Sequence, residues 1–112
     1  MKAFPSWPIS SDAQTGAALL KSETDRDQAI RAKQVFDWVK NTWNEAGDNV
    51  YVWDFRALET TGSEEGLYLN NAYASGDSHP SDDFARTVAP FFVKRLVDII
   101  EGRGDSGSIT GQ

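Results

Sequence analysis

Apolar residues recur at steps of three and four along two long stretches of the chain, which is the spacing of one helix face. The first stretch predicts a helix from about Thr24 to Ala46, with Ser22 or Thr24 as its cap and Gly47 as its stop. Acidic residues in its first turn favour the positive end of the helix dipole. Its apolar stripe consists of Ala29, Ala32, Val35, Phe36, Val39 and Trp43.

The second stretch predicts a helix from about Ser81 or Asp82 to Glu101, with Ser81 as its cap and Gly102 as its stop. Pro90 lies inside this pattern, and we expect a kink or a break there because proline has no N–H to donate. The apolar face consists of Phe84, Val88, Phe91, Phe92, Leu96, Ile99 and Ile100.

Between the two helices, residues 49–55 are nearly continuously apolar and rich in β-branched and aromatic side chains, which predicts a strand covered on both faces. Residues 1–10 are also predicted to be extended, because each of two prolines disfavours helix at its predecessor. We therefore predict a small three-layer α/β domain, half of a flavodoxin-like fold, with a parallel sheet of about two strands and two main amphipathic helices. The domain is expected to span residues 1–102, with a flexible Gly/Ser-rich tail over 103–112.

Composition narrows the function classes. The chain has 112 residues and a net charge of −6, which argues against nucleic acid as a partner, because phosphate binding needs clustered Lys and Arg. No run approaches the roughly 20 apolar residues of a membrane span, and the N-terminus lacks the apolar region of a secretory signal. We therefore expect a cytoplasmic protein without membrane association. Because cysteine is absent, disulfides, thiol nucleophiles and Cys-based metal sites are excluded.

The chain has one histidine, His79, at the end of a long stretch from residue 59 to 80 that has no usable period. Long loops of this kind are often functional. Asp77, two residues earlier, could orient the imidazole and stabilise its charged form, as the carboxylate does beside a catalytic base. The same spacing also fits an ordinary surface histidine in a loop before a helix.

The block Asp77-Ser78-His79-Pro80, between a predicted strand and an amphipathic helix, resembles the last conserved block of the SGNH (GDSL-type) hydrolases. The predicted helix Ala29 to Trp43 and the strand at 49–55 look like that family's penultimate helix and last strand, and Phe4-Pro5-Ser6-Trp7-Pro8 is compatible with the strand before them. The resemblance implies that His79 is the acid–base residue of an ester hydrolase, supported by Asp77. The family's acid usually lies three residues before the histidine, where this chain has Gly76.

The nucleophile and oxyanion blocks of the SGNH family are missing. Gly76-Asp77-Ser78 and Gly104-Asp105-Ser106 have the letters of the nucleophile motif, but neither follows a predicted strand. The remaining serines near the first predicted strand are Ser6, Ser10 and Ser11.

Two functions stay open at this point. One is an SGNH-type ester-hydrolase-like module that is inactive or needs a second chain. The other is a non-catalytic interaction or small-ligand-binding domain. For a small ester or sugar-ester ligand, the candidate binding residues are Trp7, Tyr68, Asn70, Asn71 and Tyr73.

No cofactor and no metal are predicted, because the spacing of the acidic residues matches no metal-binding loop. A sheet of about two strands leaves an unpaired edge that needs a cover. We therefore expect a dimer of this chain, or docking to a complementing chain, through that edge or through the apolar helix faces.

Overall fold

The computed structural model describes residues 18–112, and the regular structure in this range is helical. Helix α1 spans Arg26–Trp38 and continues through one turn of π-helix, Val39–Trp43; helix α2 spans Phe55–Glu59, and helix α3 spans Asp82–Ile100. Three short 3-10 turns lie at Lys21–Glu23, Glu64–Gly66 and Asn71–Tyr73. No helix in this range combines the length and the apolar character needed to cross a bilayer.

The predicted α/β fold, with its flavodoxin-like parallel sheet, is wrong for the described range. The only β contact within residues 18–112 is an isolated antiparallel bridge between Ala74 and Pro80. Residues 50–54, predicted to be a strand, have no regular secondary structure, and α2 begins directly after them. The strand expected within residues 1–10 lies outside the described residues.

The physical reason is that other groups occupy the hydrogen-bonding positions of residues 50–54. The Asp54 N–H donates to the carbonyl of Ile109 at 2.7 Å, and the Val52 carbonyl accepts from Arg95 Nε at 2.8 Å. The Asp54 side chain accepts from Ala57 N at 3.0 Å and so caps α2. A run of apolar residues predicts that a segment is covered, and here helix α3 and the C-terminal residues cover it instead of a second strand.

The two long helices begin at polar caps. For α1 the cap is Asp25, whose carboxylate accepts from Gln28 N at 2.8 Å, so neither Ser22 nor Thr24 is the cap. For α3 the cap is Ser81, as predicted, with Phe84 N donating to its hydroxyl at 3.1 Å. Helix α3 runs through Pro90 without a break. The helix tolerates this proline because the carbonyl that loses its partner belongs to Arg86, which lies on the exposed side.

The core of the described range consists of three small clusters. Ala29 of α1 packs on Leu67 and Tyr68, which belong to the stretch predicted to be a loop. The second cluster joins α2 to α3 and contains Leu58, Phe84 and Val88, and the third contains Ala18, Leu20 and Leu69. The stretch from 60 to 80 therefore contributes core residues and is not only a surface connection.

Residues 103–112, predicted to be a flexible tail, lie against residues 47–54 and α3. Gly104 is buried on the ring of Tyr51, which a Cβ at this position would overlap. The Trp53 indole donates to the carbonyl of Thr110 at 2.9 Å. Gly111 has a φ of +80° and lies so close to the Phe91 backbone that a side chain would not fit.

Candidate functional site

His79 is held in a short loop that is closed at its base by the Ala74–Pro80 bridge. Within the loop, Ser75 N donates to the carbonyl of His79 at 2.9 Å. Gly76 has a φ of +102°, a left-handed conformation that lets the chain reverse at no steric cost. The backbone on both sides of the imidazole is therefore fixed, although the ring itself is exposed.

His79 and Asp77 form a dyad. One carboxylate oxygen of Asp77, Oδ1, lies 2.9 Å from His79 Nδ1 and also accepts from the His79 backbone N–H at 3.0 Å. The Ser75 hydroxyl donates to the same oxygen at 3.2 Å. These bonds, that of the His79 side chain above all, lower the pKa of Asp77 below its ordinary value. Because Nδ1 faces Asp77, Nε2 is the ring atom left for a ligand or a proton transfer.

Within residues 18–112 no serine hydroxyl bonds to the imidazole. Ser78 Oγ donates to Glu23 Oε2 at 2.6 Å and accepts from Leu20 N at 3.0 Å, so it ties the loop to the turn at Lys21–Glu23. Ser75 Oγ has one proton, which Asp77 and the His79 carbonyl share as acceptors. The remaining candidate nucleophiles, Ser6, Ser10 and Ser11, lie outside the described residues.

A pocket of about 460 Å³ opens beside His79. This volume lies within the range of roughly 300–1,000 Å³ that small-molecule sites occupy. Its walls combine aromatic rings with three ionisable side chains, namely Phe36, Trp53 and Phe55 with Arg56, Glu59 and His79. The pocket thus brings the loop histidine together with helix α2, which sequence reasoning did not connect.

Glu59 is the most perturbed acid in this pocket. Glu59 is only 6% exposed, and burial raises the pKa of its carboxyl to about 7. A hydrogen bond from the backbone of Ala18 and the charge of Arg56 act in the opposite direction. Both protonation states of Glu59 are therefore populated near neutral pH, so this carboxyl can donate or accept a proton.

Arg56 lies one helical turn before Glu59 and is also buried. Its guanidinium donates to the carbonyls of Gly66 and Leu67 at 3.4 and 3.2 Å and lies 5.8 Å from the centre of the Phe36 ring. Its Nε makes no hydrogen bond within the described part of the chain, and burial lowers its pKa. The sequence signal that could have indicated this pair is an arginine and an acid three residues apart among apolar residues.

None of the predicted binding residues in the described range lines the pocket beside His79. Tyr68 is buried in the cluster with Ala29 and Leu67, and Trp7 lies outside the described residues. Asn70 caps the turn at Asn71–Tyr73, because its side chain accepts from Ala72 N at 2.9 Å.

Tyr73 stacks on the ring of Phe84, with 4.4 Å between the ring centres, and lines a separate cavity of about 520 Å³. Asn71 is exposed at the start of the same turn. In the range 18–112, no group of three or more His, Asp or Glu side chains is arranged to hold a metal ion.

Comparisons with protein-family models, with curated proteins and with solved structures found no match. The assignment of a function therefore rests on the geometry of this pocket and of the dyad at its edge.

Proposed function

We propose that this protein binds a small ligand with an aromatic or other apolar body and one hydrogen-bonding polar group in the pocket between His79 and helix α2. The observation that carries the proposal is the pocket itself, which is lined by aromatic rings and by a few ionisable side chains. Such a combination is typical of small-molecule sites.

The roles of the residues follow from their chemistry. The rings of Trp53 and Phe55, tilted with 5.4 Å between their centres, offer an apolar surface for the body of the ligand. His79 Nε2 and the Glu59 carboxyl can each donate or accept a hydrogen bond, depending on protonation. Arg56 adds a positive charge close to Glu59, which favours ligands with a neutral or acidic polar group over cationic ones.

NMR titration tests this proposal. Indole, indole-3-acetate and tryptamine share one aromatic body and differ in charge, so they report both binding and charge preference. We expect amide shifts concentrated at residues 53–59 and at Ser78 and His79, with indole-3-acetate binding more tightly than tryptamine. Glu59→Gln and His79→Ala should each weaken binding several-fold, whereas Glu64→Gln, which changes an exposed acid outside the pocket, should not. Shifts spread over the whole surface, or binding unchanged in both pocket variants, would contradict the proposal.

The His79–Asp77 dyad favours a second candidate, the hydrolysis of small esters with His79 as general base. The SGNH resemblance supports this candidate, whereas the α/β scaffold that it implies is not present in residues 18–112. A general base contributes about 10²–10⁴ in rate. A nucleophile would have to come from residues 1–17, from a second chain or from water.

A short-chain ester assay on the full chain tests this second candidate. The reference is free imidazole at the same concentration, because an exposed histidine alone hydrolyses activated esters. Turnover well above imidazole that falls at least about 100-fold in His79→Ala would support a hydrolase, and Asp77→Asn should lower it by less. Turnover that survives His79→Ala, or none above imidazole, excludes this chemistry for the isolated chain.

A further inference from the structure

Helix α3 has a second apolar stripe next to its buried side, and only the buried side is covered within the described residues. The inner side, which includes Phe84, Val88 and Arg95, is buried. At 100° per residue, a second apolar stripe is centred about 110° around the helix from it. We call this stripe the outer face of α3, and it consists of Ala85, Ala89, Phe92, Val93, Leu96 and Ile100.

The outer face is strongly exposed. Phe92 is 42% exposed, Val93 is 56% and Ile100 is 82% exposed. Contiguous exposed apolar patches mark interaction surfaces. Among the described residues, the ring contact to this face is that of Trp53 with Phe92, at 4.8 Å between ring centres, at the edge of the stripe.

We infer that the outer face of α3 is covered by the outer face of α3 in a second copy of this chain, in an antiparallel two-fold dimer. The positions 85, 89, 92 and 96 follow the alternating steps of four and three that form the seam of a helix pair. A two-fold pairing is the most common way for a chain to cover such a surface with itself.

Side-chain size fits this arrangement. The N-terminal half of the outer face carries the small Ala85 and Ala89, and the C-terminal half carries the large Leu96 and Ile100. With the two-fold axis between Phe92 and Val93, each Ala85 lies opposite Ile100 of the second copy, and each Ala89 lies opposite Leu96. Small residues therefore meet large ones along the whole seam, which a parallel pair would not achieve.

The helix dipoles fit an antiparallel arrangement as well, because the positive end of each helix then lies beside the negative end of the other.

The first test is the solution mass of the full chain as a function of concentration, by sedimentation velocity and light scattering. The chain mass is 12.4 kDa, and we expect twice this value at high micromolar concentration. Leu96→Glu should shift the protein to the monomer mass while its far-ultraviolet circular dichroism stays unchanged. Val50→Glu is the matched control, because Val50 is 43% exposed but lies outside α3, and it should leave the dimer intact.

A wild-type chain that stays at the monomer mass at every concentration would overturn the inference. A dimer that is unaffected by Leu96→Glu would overturn it as well, because the contact would then lie elsewhere.

Cysteine cross-linking tests the register, since the chain has no cysteine of its own. In the double variant Ala89→Cys with Leu96→Cys, the two positions of one chain are two helical turns apart and cannot bond to each other, because disulfides need Cα atoms within about 7 Å. Across the antiparallel seam they face each other, so oxidation should give covalent dimers efficiently. Each single variant should cross-link far less. Efficient cross-linking by the single variants would indicate a parallel pair and overturn the register.

Discussion

Two arginine–acid pairs in this molecule share the same spacing and the same degree of burial but differ in their surroundings. Arg95 and Asp98 lie three residues apart on α3, and Arg56 and Glu59 lie three residues apart on α2. All four residues are at most 6% exposed. The sequence pattern of the two pairs is almost the same.

Both members of the first pair have hydrogen-bond partners. Arg95 donates to the carbonyls of Val52 and Gly104, both at 2.8 Å. The carboxylate of Asp98 accepts from Lys94 and from Arg103, both at 2.9 Å, which lowers its pKa. In this region the buried charges act as structural cross-links.

The second pair has weaker hydrogen bonding. The guanidinium of Arg56 makes two longer hydrogen bonds and leaves Nε without a partner within residues 18–112, and the pKa of Glu59 is raised to about 7. An ionisable group changes its protonation state instead of holding its charge where the cost of burial exceeds what its partners contribute. The comparison therefore distinguishes a structural pair from a pair that can respond to a ligand, and only the second one lines the pocket.

The largest expected effect is that of Arg95→Met. The substitution keeps most of the side-chain volume but leaves the Val52 and Gly104 carbonyls without their donors, so we expect a loss of about 2–4 kcal/mol in the free energy of unfolding. Urea unfolding measures it. Arg86→Met, which changes an exposed arginine of the same helix, is the control and should stay within about 0.5 kcal/mol of wild type. Equal effects in the two variants would show that the Arg95 bonds contribute little.

The second effect is the pH dependence caused by Glu59. The folded-state pKa is about 7 and the ordinary value is 4.5, so between these values the folded chain binds more protons than the unfolded chain. Stability should therefore fall as pH rises from 4.5 to about 7, on the order of 2 kcal/mol in all. Glu59→Gln should flatten this part of the profile, whereas Glu64→Gln should leave it in place. A slope that survives Glu59→Gln must come from another group.

A third effect separates the two arginines directly. Arg56→Met should cost about 1 kcal/mol, less than Arg95→Met, because its two hydrogen bonds are longer and its Nε is already unpaired. The variant also removes the positive charge that lowers the pKa of Glu59, so that pKa should rise further. Carbon-13 NMR of the Glu59 carboxyl measures the shift. An unchanged or lowered pKa would show that Arg56 does not act on this carboxyl.

The smallest effect is expected for Asp98→Asn. Because the folded-state pKa of Asp98 is lowered, its stabilisation is present above the ordinary pKa of 3.8 and is lost as pH falls through the folded value. Wild type and variant should therefore differ in stability at neutral pH and converge in strong acid. High salt should reduce the difference, since Lys94 and Arg103 are half exposed. A difference that persists in acid would point to hydrogen bonding instead of charge.

What the sequence could predict was local. The Ser81 cap and the buried positions Ala29 and Ala32 depend on neighbours a few residues away, and the structure agrees with them. The prediction of a strand at residues 49–55 was wrong because the hydrogen-bond partners of this segment, Arg95 and the carbonyl of Ile109, lie more than 40 residues further along the chain. The pattern of apolar residues predicts that a segment is buried but does not identify which residues cover it.

The candidate site also has a part that local sequence could predict and a part that it could not. Asp77 and His79 are two residues apart, and their contact could be anticipated from that spacing. The role of Glu59 could not be anticipated from the sequence, because its raised pKa depends on the packing of the residues around it, among them Ala18. Tyr68 was a candidate for the rim of a ligand site, and no local signal indicated that it would pack on Ala29.

The packing of residues 103–112 on residues 47–54 has a consequence for folding kinetics. The bond from Trp53 to Thr110 joins residues 57 positions apart, and the Asp54–Ile109 bond is similarly distant. Contacts this remote in sequence carry a large loop-closure entropy and usually form after local helices. We therefore expect α1 and α3 to gain helical structure first. The indole of Trp53 would reach its native environment only in the last phase, so fluorescence should report chain closure in a variant that keeps Trp53 as its one tryptophan out of four.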